Sequence, residues 1–384
     1  MHPRRSIPRA LLTALLVGPI APAQTLVVDI ANGPGTSFTS LELATAAAPS
    51  GALLIVRPGD YTGVIVIQGK SLTVLGEPGA RLVGSTRLIV RNLTASQSVF
   101  VRNFGLVAPP QTFGGLGIRC ESNAGLVCLE NLTPTLGSVG PVGFEATNCG
   151  ALWLRTATFS DRVVLANCTA VLRNCGVGPG SQTLSLDAIV QSGGAVQLID
   201  CTVNGASSFV GTPAVQLYGG DLRLLGGTAL HGGASLFGAP ALAVAGTGSL
   251  RAEPGVTLTG GGTVLAPSIV AATQAMPRLL VDEGAPAGTW TAQLFGPFGD
   301  SALLLASLPG VAFQLPWLTD AVWLDPLSMV VVGAGVPAPG APVTATIALP
   351  AVSPTLGFWI VWQALTLDAA CSYQLGNPEF SILH

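Results

Sequence analysis

A unit recurring about every 26 residues constrains this chain more than any other feature. One strand of it appears as LTVLGEPGA from Leu72, VFVRNFGL from Val99, LVCLENLT from Leu126 and LWLRTATF from Leu152. It continues as AVLRNCGV from Ala170 and VQLIDCTV from Val196, with weaker copies LRLLGGTAL from Leu222 and LRAEPGVTL from Leu250. Anchored on Val74, Val101, Leu129, Leu154, Leu172, Leu198, Leu224 and Ala252, the steps are 27, 28, 25, 18, 26, 26 and 28 residues. The step of 18 is either a shortened coil or a misalignment. A unit this small cannot bury its own apolar side, but it can do so when stacked on copies of itself. Each strand then pairs with its equivalents in the coils above and below, ~4.8 Å away, so about eight coils make a rod near 40 Å long.

The stretch GALLIVRPGDYTG, Gly51 to Gly63, is the first corner of such a coil: an apolar strand, a bend at Arg57-Pro58-Gly59, and a second strand from Val64. After the repeated strand, Asn103, Asn131, Asn174 and Asp200 occupy equivalent places, and these side chains tolerate left-handed turns. Composition agrees. With 49 glycines and only 9% charged residues, the chain suits many short strands and tight turns rather than helices. The fold class expected is all-β: a parallel solenoid followed by a small antiparallel β-sandwich.

The opening unit GTSFTSLELATAAAPSGALLIVRPGDYTG, from Gly35, carries a short helical segment and then a V-x-P-G-x-Y pattern. In this it resembles the right-handed parallel β-helix, or pectin-lyase-like, superfamily. The resemblance spans roughly residues 25 to 272. It implies a capping helix over Ser40 to Ala48, with Ser40 as N-cap and Leu41 and Leu43 available to cover the first coil.

The expected organisation is a signal peptide (1–23), an N-terminal cap (24–50), the β-helix (51–272) and the C-terminal sandwich (273–384). The signal is read from Arg4, Arg5 and Arg9, an apolar run to Ile20, and small residues at Ala21 and Ala23. That run is too short to span a bilayer, so export to the surface or medium is the expected destination. Removing those three arginines from the 16 basic residues leaves 13 against 19 acidic, which argues against nucleic acid as a partner. The balance is uneven. Gln24 to Gln274 is neutral, while the remainder holds seven acids and one base, Arg278, together with five of the six tryptophans. The segment from Val343 resembles a C-terminal module found on many exported bacterial proteins. In its strand around Trp359, Phe358, Ile360 and Trp362 share one face and Trp359 and Val361 the other. Both faces read as core, with a sugar-stacking platform as the alternative.

No residue reads firmly as catalytic. Polysaccharide lyases of the β-helix type need a carboxylate cluster for Ca²⁺ and a basic residue, and the hydrolases need paired aspartates with a nearby histidine. The best acid pair is Asp161 and Asp187, each just before a coil's first strand, with Arg162 adjacent. Stacking would bring the two acids about 5 Å apart, the spacing of a retaining glycosidase pair. As turn residues they would instead cap backbone N–H groups. Arg119, Glu121, Glu145 and Arg155 read as one wall, and His231, in LHGGA, as a turn residue rather than a base. Cys175 and Cys201 stack in neighbouring coils, either as inward apolar residues or as a disulfide, and Cys149 and Cys168 form a second such pair. No ligand spacing for zinc is present, and no metal or cofactor is expected. Asn92, Asn131 and Asn167 each head an N-glycosylation sequon.

The reading this favours is a non-catalytic β-helix that binds polysaccharide or another cell-envelope component. A polysaccharide lyase or glycoside hydrolase with a divergent site is the runner-up, and a purely structural component the third.

Overall fold

In a computed structural model, residues 24–107, 116–134, 142–178, 187–207, 209–236, 238–261, 264–283, 289–297, 299–315, 318, 321–338, 341–348, 359–368 and 372–382 are described. The proposed signal peptide lies outside them, as do Phe358, Trp317, Cys371 and His384.

The chain is mostly β with one short helix: a solenoid of about eight turns, then small antiparallel sheets. Three parallel ladders form the solenoid. The first runs from Thr25–Val28 through Ala52–Val56 and Leu72–Gly76 up to Ile269–Thr273. The second stacks strands such as Val64–Gln68, Arg87–Arg91, Val163–Ala166 and Ile189–Ser192. The third holds short strands, Gly59–Tyr61 and Ala80–Val83 near the start, then Thr158–Phe159, Gly176–Val177, Thr202–Asn204, Ala229–His231 and Thr257–Thr259. Longer strands such as Ser98–Val107 and Val142–Arg155 run round a corner and serve more than one ladder.

The eight sequence anchors are partners in the first ladder, in the register expected: Val74 with Val101, Val101 with Leu129, and so on to Leu224 with Ala252. The step of 18 is a genuine short coil, because Leu154 pairs with Leu172 while Phe159 reaches Val163 by a tight turn. The anchors form one inward column, all but Ala252 at 2% exposure or less. Apolar columns must be continuous in such a stack, since a break would leave a void along the axis of the coil.

The corners are built by positive φ. Following the first ladder, Asn103, Asn131, Thr156, Asn174 and Asp200 have φ between 51° and 62°, and Gly226 takes the same role at 63°. A second corner, between the second and first ladders, uses Asn92, Ser122, Asn148, Asn167 and then Gly193. The three sequon asparagines are thus all corner residues. Their amides also stack between coils: Asn131 donates to Asn103 Oδ1 at 2.8 Å and Asn167 to Asn148 Oδ1 at 3.3 Å.

The chain bends at Arg57-Pro58-Gly59, as expected, but enters a short strand of the third ladder, Gly59–Tyr61, before the strand from Val64. Tyr61 is buried beneath it and donates its hydroxyl to Arg57 O at 2.9 Å. The helix spans Leu41–Ala47, with Ser40 Oγ accepting the Leu43 N–H at 3.3 Å. Leu41, Ala44 and Ala48 close the end of the coil, but Leu43 is 62% exposed. At 3.6 residues per turn, positions 41, 44, 45 and 48 share a face that excludes 43. The stretch 24–50 is therefore more than a cap, since Thr25–Val28 already forms a rung under Ala52–Val56.

Beyond the solenoid, Arg278–Glu283, Thr289–Phe295 and Val343–Ala348 form one antiparallel sheet. Ser301–Ser307 and Trp359–Leu367 are central to another. Trp290, Leu294, Leu304, Ile360 and Trp362 fill the core between the two sheets. Trp359 and Val361 point the opposite way and bury against the outer face of the first ladder. Both faces of that strand are core, so neither tryptophan offers a sugar platform. Phe100 meets Trp359 edge-on at 4.5 Å, and Trp153 meets Phe380 at 4.7 Å. Each such pair adds ~0.5–1.5 kcal/mol beyond area burial. Beside them the fully buried Glu379 carboxylate receives the Arg173 guanidinium and the Asn377 amide.

Two outcomes follow. At the exposed Asn174, glycine should match the wild type within a few tenths of a kcal/mol in urea unfolding, while valine should lose ~1–2 kcal/mol to the left-handed φ. Truncation after Ala275 should keep a β-type circular dichroism spectrum. It should also strongly enhance binding of an apolar dye, because Phe100, Trp153, Val171 and Ile199 lose their cover.

Candidate functional site

The acid pair occupies one corner of the solenoid. Val163 pairs with Ile189, so Asp161 and Asp187, each two residues earlier, sit at equivalent positions of neighbouring coils. Both are half-buried. Asp161 Oδ1 accepts the Arg162 main-chain N–H at 2.7 Å, which commits that oxygen to the turn. Burial raises the Asp187 carboxyl above its usual range, and the nearby positive charge of Arg162 opposes the rise. The structure therefore brings together all three candidate residues, with the two acids in different environments.

Next to this corner, the third ladder carries a shallow groove of about 440 Å³. Thr158, Ser160, Thr202, Asn204 and Ser207 bring hydroxyls and an amide to it, and Gly176 and Gly178 keep its floor low. Ser160 directly precedes Asp161, so the acid corner adjoins one end of the groove. Gly176 pairs with both Thr158 and Thr202, so polar side chains on two rungs flank a middle rung that carries only glycine there. No sequence motif marks this groove, because its residues belong to two- and three-residue strands and the turns that follow them.

The wall read from sequence divides in two. Arg119, Glu121 and Glu145 share the outer face of the second ladder, with Arg119 bridging Glu121 at 3.3 Å and Glu145 at 2.9 Å. These pairs are about half exposed, so each is worth little. Arg155 is elsewhere: it lies on the first ladder, 3.5 Å from Glu130, and donates to Phe380 O. The two surfaces belong to different ladders of the coil, on either side of the corner at Asn148. His231 is also corrected. It ends a strand of the third ladder rather than forming a turn, and its Nδ1 lies 2.6 Å from Thr259 Oγ1.

The six described cysteines are buried free thiols; five line the inside of the coil and Cys128 faces outward beneath the C-terminal sheets. Arg173 pairs with Ile199, which sets Cys175 and Cys201 on equivalent rungs, as expected. Cys168 hydrogen-bonds Cys149 and lowers its pKa, while the same bond and burial raise that of Cys168. Among the described residues, no group of three or more His, Cys, Asp or Glu side chains could hold a metal ion. No helix among them is long and apolar enough to cross a membrane.

No protein-family model matches the chain, and no curated protein matches it. Among solved structures, the chain is similar to ORF18 of Geobacillus virus E2, with 9% identity, TM-score 0.34, and 94% of this chain and 86% of that chain covered. It is also similar to the enzymatically active domain of tailspike protein 2 of bacteriophage CBA120, with 9% identity, TM-score 0.28, and coverage of 95% and 76%. Overlaps this loose carry no argument about what the chain does.

The raised Asp187 carboxyl has a consequence for stability. The folded chain holds that proton more tightly than the unfolded chain, so Asp187 costs stability as pH climbs from the ordinary 3.8 through the raised value. Asp187→Asn should therefore melt higher than the wild type at pH 7 in scanning calorimetry. The advantage should vanish in acid, below the ordinary carboxylate value. A lower melting temperature at pH 7 would mean instead that the charged form makes favourable contacts.

Proposed function

We propose that this protein is an exported, non-catalytic β-helix that binds polysaccharide or another cell-envelope component. On this reading the solenoid is a right-handed member of the pectin-lyase-like group, and the C-terminal sheets are a surface appendage of exported bacterial proteins. The observation that supports it is the groove on the third ladder, where Thr158 and Ser160 on one side and Thr202, Asn204 and Ser207 on the other flank a floor kept low by Gly176 and Gly178. A hydroxylated sugar chain matches an open groove with donors and acceptors along both sides, and such surfaces hold ligands with many modest hydrogen bonds. The near-neutral solenoid suits a ligand recognised by hydroxyls rather than by charge alone.

A lyase or glycosidase is the second reading, and Asp187 is what favours it. A carboxyl raised by burial, with a second acid at the equivalent position of the neighbouring coil, is the kind of pairing that glycoside hydrolysis uses.

The test is a thermal-shift screen of the mature chain against neutral and acidic polysaccharides, with and without Ca²⁺, with each mixture assayed for new reducing or unsaturated ends. A rise in melting temperature without new ends is the expected result. New ends that disappear in Asp187→Asn would establish the enzyme instead, and silence in both assays would leave a structural protein.

A further inference from the structure

The outward column of the first ladder changes character along the rod. It reads Phe100, Cys128, Trp153 and Val171, each paired with the next, and then turns to Gln197, Arg223 and Arg251 in the same register. Where the column is apolar, the C-terminal sheets seal it. Where it is polar, they stand off and leave a cleft of about 340 Å³. That volume is at the lower end of small-molecule sites, which occur preferentially between packed units.

The cleft has a cationic wall and a polar wall. From the solenoid come Arg223 and Arg251, and from the C-terminal sheets Tyr373, Gln374 and Asn377. Arg223 is buried, with its side chain only 7% exposed, and its Nε donates to Asp221 Oδ2 at 3.3 Å. Arg251 donates to that same oxygen, and the Ser249 hydroxyl to Asp221 Oδ1 at 2.6 Å. One carboxylate thus braces two guanidinium groups without itself lining the cleft. Burial, followed by the like charge of Arg251, presses Arg223 down to about 10. Across the cleft, Gln374 has a buried Oε1 without a hydrogen-bond partner, an acceptor that a ligand hydroxyl would satisfy. Tyr373 is 43% exposed at the rim and offers a ring for stacking.

We propose that this cleft binds an acidic sugar residue, with Arg223 and Arg251 facing its carboxylate, Gln374 Oε1 accepting one of its hydroxyls and Tyr373 against its ring. The proposal rests on the polysaccharide-binding reading and assigns it a ligand class and a site distinct from the groove. Arginine is suited to this work because its fork matches a carboxylate in two parallel bonds.

The experiment is isothermal titration calorimetry of the mature chain with tetragalacturonate, its methyl ester, a neutral tetrasaccharide and inorganic sulfate at one ionic strength. Wild type, Arg251→Gln and Gln374→Ala are compared after circular dichroism confirms their folds. Binding of the acidic oligomer alone is expected, weakened tenfold or more in Arg251→Gln and severalfold in Gln374→Ala. Should Arg251→Gln fail to fold, the Gln374→Ala result decides, because removing an unpartnered acceptor does not strain the core. Acidic and neutral oligomers binding equally, with both variants unchanged, would overturn the cleft while leaving polysaccharide binding at the groove intact. Sulfate binding as tightly as the oligomer would overturn the saccharide specificity. No binding by any oligosaccharide would overturn both readings.

Discussion

Everything in this fold depends on the chain turning a tight corner at the same rung position in coil after coil. Past the first ladder, the residue at that corner must adopt a left-handed backbone, and the chain meets the demand with Asn, Thr, Asp and finally Gly. A β-branched residue there costs roughly 1–2 kcal/mol; the chain accepts that once, at Thr156, but the same cost at every corner would exceed the stability of an ordinary domain. Once the corners are fixed, the ladders hold register and the inward columns stay continuous. The spacing between corners can then vary, because the number of residues between the third ladder and the next strand of the second differs from coil to coil. This is why coils of 18 and 28 residues stack with the same pairing.

Fixing the inside leaves the outside free. On each ladder the side chains alternate, and the repeat constrains only the inward set. The outward set of the first ladder carries the apolar run Phe100 to Val171, the ion pairs of Glu130 with Arg102 and Arg155, and the Arg223 and Arg251 row. An apolar strip on a solenoid face is unstable in water, and the C-terminal sheets answer it with Trp359, Trp323 and Phe380. The Arg173 contact with Glu379 favours this docking over one shifted a rung toward Ile199, which would leave a buried carboxylate against an apolar side chain. The same docking creates the cleft, since sheets anchored at the apolar end cannot follow the face where it becomes cationic.

Particular residues show how far the sequence could be read. Val74 through Ala252 were legible as one column because leucine and valine recur there at fixed distance from a corner residue. Asn103, Asn131, Asn174 and Asp200 were legible because few side chains tolerate a left-handed turn. Asp161 and Asp187 followed from the same arithmetic. Arg155 did not: it faces outward like Arg119 and Glu145 but on the other side of a corner, and a strand that runs round a corner without a break in its apolar pattern does not show where one ladder ends and the next begins. Leu43 failed for a related reason, since a seven-residue helix presents too little pattern to show which leucine faces the coil.

The sequence by itself determined the stacking unit, the register of its rungs and the positions of its corners, because each is a local matter of strand length, apolar alternation and left-handed tolerance. It also separated the balanced, glycine-rich rod from an acidic, tryptophan-rich end. Only the tertiary structure decided that these two parts share a core, which of the rod's outer faces is covered, and where a cleft opens. Those outcomes join residues 206 and 225 positions apart, such as Arg173 with Glu379 and Arg155 with Phe380. No local pattern encodes a partner at that distance. Complementary burial and charge select it only after both surfaces exist.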